Sequence, residues 1–178
     1  MKNPVFNRRH VREYFLYGAV AAILYSIPVL LFLSEKNYNN LYYLYIGVGL
    51  FMFTIFFYAL QLVNRPYDRK RAVSMLIAGN LATLTGVAIS VLVVIFSFLH
   101  FFPDLVSVKP TPILITNAPS TIQPDRPAGL LFMILILTVF GNTSVGAFVS
   151  VVTAYVGKKN QTRDKPATLE TRFPKKSR

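Results

Sequence analysis

Two histidines, seven carboxylates and no cysteine are the chain's whole stock of groups for metal binding, proton transfer or thiol chemistry. His10 and His100 stand on either side of long uncharged stretches, too far apart in the expected topology to share a metal or a haem. The carboxylates are Glu13, Glu35, Asp68, Asp104, Asp125, Asp164 and Glu170, and each falls at an edge of those stretches or outside them, in loops or the tail. A proton-coupled transporter or pump normally keeps an ionisable group inside the membrane, and none of these residues meets that need. Ser90, Ser144 and Ser150 lie inside the stretches without a His, Lys or Asp companion at their own depth, which intramembrane proteolysis or acyl transfer would require. No Gly-rich phosphate loop, H-E-x-x-H or G-x-S-x-G element occurs either. The sequence therefore reads as a non-enzyme with no catalytic residue, no cofactor site and no metal site.

The remaining polar groups are uncharged, and they recur at helical spacing. Asn80, Thr83, Gly86 and Ser90 share one stretch, and Thr138, Asn142, Gly146, Ser150 and Thr153 share another. Small residues at four-residue intervals, Gly18, Ala22 and Ser26 in the first stretch, Ala82, Gly86 and Ser90 in the third and Asn142, Gly146 and Ser150 in the fourth, let helices approach closely in lipid. If the third and fourth helices are antiparallel with midpoints near Val87 and Asn142, Ser150 falls level with Asn80. Asn142 then falls near Gly86, within reach of Thr83 or Ser90. An amide left unsatisfied in hydrocarbon costs several kcal/mol, so both asparagines are expected to face protein. Two roles follow for Asn80, Thr83, Gly86, Ser90, Asn142, Gly146 and Ser150: packing the helices together, or lining a path for a neutral solute.

The elements that would hold these residues are four apolar runs, 14–33, 41–63, 72–102 and 128–156, none containing Asp, Glu, Lys or Arg. A hydrocarbon core about 30 Å thick needs about 20 helical residues to cross it. The expected fold is all-α: an integral membrane protein with four transmembrane helices in an antiparallel bundle, forming one domain over residues 1–156. The first run is too long for a signal-peptide core and no A-x-A-like site follows it, so it reads as an uncleaved anchor.

Charge sets the expected orientation. The net charge of +12 is carried by basic residues clustered before the first span, between the second and third, and after the fourth. Basic connectors stay on the cytoplasmic side, which places both termini inside a plasma or inner membrane. A soluble nucleic-acid binder would spread its basic residues over a folded surface; here they sit where anionic lipid headgroups would meet them. The partners expected are the bilayer, its anionic headgroups, and a second copy or another membrane protein, with no nucleic acid.

Other features refine the outline. Tyr14 and Tyr17 at one level, and Tyr38, Tyr42, Tyr43, Tyr45, Phe96, Phe98, Phe101 and Phe102 at the other, are the aromatic residues expected at the lipid–water boundaries, with Tyr155 returning to the inner one. Pro28 denies a bond to the carbonyl of Leu24 and should kink the first helix, with Ser26 in partial compensation. The third span is long enough to tilt or project, with His100 toward the outer water. The loop 103–127 carries Pro103, Pro110, Pro112, Pro119, Pro124 and Pro127 and is expected to lie extended over the bundle or to dock an outer partner. The tail 157–178 is polar and basic and is expected to be disordered. The functional expectation is a non-catalytic scaffold or accessory subunit of a membrane assembly, with an oligomeric channel or carrier for a neutral or weakly charged solute as the alternative.

Overall fold

The computed structural model describes residues 8–63, 72–102 and 127–163. Among them every regular element is helical: α1 (Arg8–Glu35), a 3-10 turn (Tyr38–Asn40), α2 (Tyr42–Val63), α3 (Ala72–Phe101), α4 (Pro127–Ile136), a π turn (Leu137–Gly141) and α5 (Asn142–Arg163). The π turn joins α4 to α5 in one rod, so there are four rods, each long and apolar enough to cross a membrane. The inner connector 64–71, the outer loop 103–126 and the tail from 164 lie outside the described residues.

The apolar runs are the cores of longer helices. α1 starts at Arg8 and α5 continues to Arg163, because nothing in 8–13 or 158–163 breaks a helix before Pro166. Lys, Arg, Glu and Gln are good helix formers once the chain leaves lipid. α1 also runs through Pro28. Ser26 Oγ donates to the carbonyl of Ala22 at 2.7 Å, not to that of Leu24, since a helical hydroxyl reaches the carbonyl four residues back most readily.

The α1–α2 corner is built from polar contacts at a sharp turn. Lys36 adopts a left-handed φ of 50°, and its N–H bonds the carbonyl of Phe32 at 3.3 Å, as a helix C-cap does. Its ammonium group lies 5.0 Å from the centroid of the Phe102 ring. Asn40 and Tyr43 both donate to the carboxylate of Glu35, a group that would otherwise meet the negative end of the α1 dipole.

α1 packs on α2 and α3, and α5 closes the square against the same two helices. Three sets of contacts fix relative directions. Tyr17 donates to Gln61 and its ring lies 4.8 Å from that of Tyr58, while Gly47 abuts Tyr25; α1 and α2 are therefore antiparallel. Gly79 meets Ser150 and Gly146 meets Thr83, so α3 and α5 are antiparallel. Gly141 meets Val48 and Gly157 meets Val63, so α2 and α5 run the same way.

Large apolar side chains fill the interior, Tyr25, Phe32, Phe51, Tyr58, Phe98 and Ile134 among them, and others cover the outside, including Phe15, Phe53, Phe96, Phe132, Phe140 and Phe148. A water-soluble monomer rarely exposes an apolar surface on this scale; rods that are apolar all round belong in lipid. The chain is a multi-pass membrane protein by this measure. The rods differ in cover: half of the most apolar window of the first is buried, against 28% for the fourth.

Some rings expected at the lipid boundary are used for packing. Tyr14, Phe98 and Phe102 are buried, with Phe98 and Phe102 stacked at 4.7 Å. Tyr42, Tyr45, Phe96 and Tyr155 do remain exposed. Position near a helix end cannot say which way a ring points, and a flat apolar ring gains as much from a helix neighbour as from lipid.

Candidate functional site

The polar stripes of α3 and α5 meet, and glycine decides how closely. A methyl group placed on Gly146 would overlap the side chain of Thr83, and one on Gly79 would overlap Ser150. The same offset carried one turn further sets Asn142 level with Val87. α1 approaches α3 just as closely: a methyl on Gly18 would lie 2.7 Å from the carbonyl oxygen of Ala82 and 2.9 Å from the nitrogen of Gly86. Gly86 in turn receives the edge of the Phe51 ring, at 2.8 Å from the position of an added methyl.

Each residue singled out from the sequence can now be placed. Thr83, Gly86, Ser90, Asn142, Gly146 and Ser150 are all buried, and Asn80 is half-buried. Ser150 faces Gly79, one residue from the expected Asn80. Gly79, which the four-residue small-residue pattern passed over, is the close-contact position; its signal was its place four residues before Thr83. Asn142 forms no hydrogen bond to Thr83 or Ser90, since both atoms of its amide and the hydroxyl of Ser90 are without a protein partner.

Thr83 uses its one donor within its own helix, which leaves its oxygen able to accept but not to donate. Its hydroxyl donates to the carbonyl of Gly79 at 2.9 Å. The other buried hydroxyls, Ser26, Thr54, Thr138, Ser150 and Thr153, bond the carbonyl four residues back in the same way. Such a bond satisfies a hydroxyl in a medium without water. Ser90, fully buried, is the exception among the described buried serines and threonines.

A second polar contact crosses the bundle at this depth. Tyr25 and Thr138 are hydrogen-bonded through their hydroxyl oxygens at 2.8 Å. Thr138 donates its own proton to Ile134 at 2.7 Å, so the phenol of Tyr25 is the donor. Thr138 sits within the π turn, and Asn142 closes that turn, its backbone N–H bonding the carbonyl of Val139. Tyr25, Ser90, Thr138 and Asn142 thus form an uncharged polar belt near the middle of the rods, every member at most 1% exposed. Extra turns of this kind recur at functional sites, and sequence patterning gives no sign of them.

The two histidines are placed far from this belt. His10 lies 3.5 Å from Glu13 on α1, and His100 packs edge-on against Phe101 at the end of α3. The belt itself offers neutral donors and acceptors and no group able to exchange a proton near neutral pH.

Comparison of the chain with protein-family models, with curated proteins and with solved structures finds no match.

Proposed function

We propose that this multi-pass membrane protein is a non-catalytic component of a membrane assembly, a scaffold or accessory subunit, with both termini on the cytoplasmic side. The observation that carries the reading is the closure of the belt. Of the groups a solute path would need, Thr83, Ser90, Asn142 and Ser150 are at most 1% exposed within a single chain, and Asn80 is half-buried. A conduit needs its polar groups to be open to water or substrate. What remains exposed along the rods is mainly apolar and aromatic, the surface that lipid or another membrane protein covers. Lateral association and helix packing are the roles such a surface supports.

The test is reconstitution of the purified chain into liposomes, with flux of small neutral solutes followed by light scattering. No flux above protein-free liposomes, together with reciprocal co-purification of one stoichiometric membrane protein from mild detergent, is the expected result. Flux lost in Asn142→Leu would instead establish the second reading, an oligomeric channel or carrier. That reading draws on one observation, the unpaired amide of Asn142 at mid-depth.

A further inference from the structure

Ser90 and Asn142 stand on facing stripes. Asn142 continues the α5 row of Gly146 and Ser150, whose contacts are Thr83 and Gly79 on α3. Ser90 continues the α3 row of Gly79 and Thr83, seven residues beyond Thr83 and hence nearly two turns further along one face. With Asn142 level with Val87, Ser90 is displaced from it by three residues, about 4.5 Å along the axis. Both side chains are 0% exposed, and neither has a hydrogen-bond partner in the protein. Buried polar groups in lipid-embedded helices are costly unless satisfied, and every other buried Ser or Thr of the described spans is satisfied within its own helix.

We infer that Ser90 and Asn142 form an internal hydration site, holding water between α3 and α5 near the membrane midplane. The chemistry of the groups selects the ligand. It must accept from the Asn142 amide nitrogen and donate to the amide oxygen, so it needs both functions. It must be uncharged, because the spans contain no Asp, Glu, Lys or Arg at this depth and an isolated ion there would be unsupported. It must be small, because the surrounding belt is closed to the outside. Water meets all three conditions, and a buried water typically makes about three such bonds. Two hydrogen bonds of ordinary length meeting at one oxygen span about 5 Å, which covers the axial offset between the two residues. The water is then the polar joint between α3 and α5 at the level where the glycine contacts end. This assignment rests on the burial of two side chains and stands whatever partner the assembly contains.

The test is nuclear magnetic resonance on the full chain in lipid nanodiscs, perdeuterated and carrying 15N-labelled asparagine. The Asn142 side-chain amide is assigned from its disappearance in Asn142→Leu, or in Asn142→Gln if the leucine variant does not fold. A cross-peak between this amide and the water resonance, with the sign of dipolar transfer and not of chemical exchange, is expected in the wild type. Its intensity should fall at least twofold in Ser90→Ala, which removes one anchor with little change of volume. Absence of the cross-peak in the folded wild type overturns the site. A cross-peak unchanged by Ser90→Ala overturns the shared geometry.

Discussion

Gly146 lies so close to Thr83 that even one added methyl group would overlap the threonine side chain. With Gly79 against Ser150 it is one of two close glycine approaches between α3 and α5, and neither hydrophobic force nor charge holds it. Van der Waals packing between rods supplies most of the attraction in lipid, and that attraction falls off within an ångström of added separation.

Gly146→Ala should therefore destabilise the bundle, by about 1–3 kcal/mol from overpacking, and Gly146→Leu should prevent α3 and α5 from docking. Gly49 on α2 is the control, since an added methyl there meets nothing within 4 Å. Gly49→Ala should be neutral or stabilising by up to about 1 kcal/mol, from helix propensity. Thermal unfolding of both variants in the same detergent checks the contrast; equal losses would contradict it.

Tyr25→Phe removes the donor to Thr138 and leaves the ring in place. The expected cost is about 0.5–1.5 kcal/mol, at the low end because Thr138 keeps its own bond to Ile134. Thr138→Val removes the acceptor and leaves a buried phenol unpaired, so it should cost more than Tyr25→Phe. Unfolding midpoints of the two variants decide the order.

Lys36 combines a left-handed backbone with a cation over the Phe102 ring. Lys36→Ala keeps the backbone penalty and loses the ring contact, so a loss of about 0.5–1 kcal/mol is expected. Lys36→Gly loses the same contact but relieves a backbone cost of about 1 kcal/mol, and should end close to wild type. Glycine less stable than alanine would remove the backbone argument.

The proposed orientation has its own measurement. Cysteines introduced as Ser120→Cys and Ser177→Cys, in a chain that has none, should differ in intact cells: an impermeant thiol reagent labels only the first. The opposite labelling would invert the proposed topology.

Four runs without a formal charge were enough to locate the rods, because excluding charge from lipid is a large and local energetic rule. Helix ends were less legible: α1 and α5 extend into polar sequence, where propensity takes over from hydropathy. Small residues at four-residue spacing marked real contact faces, with Gly18 against Ala82 and Gly86, and Gly146 against Thr83. Side-chain pairing was not legible. A pattern places Asn142 near Ser90, but it carries no information on side-chain rotamers, and the two do not bond. Gly79 escaped notice for a related reason: its place four residues before Thr83 puts it on the right face, but only Ser150 on another helix makes it a close contact.

The hydroxyls of Tyr25 and Thr138 are separated by 113 positions in the chain, so one leaves the ribosome long before the other. During that interval a phenol sits in the bilayer interior with its acceptor still untranslated, at a penalty of roughly 2–7 kcal/mol if nothing else shields it. Biogenesis is consequently last-in, first-needed. A nascent product arrested after its third hydrophobic segment should stay bound to the insertion machinery or be degraded, and release into the membrane should coincide with arrival of the fourth.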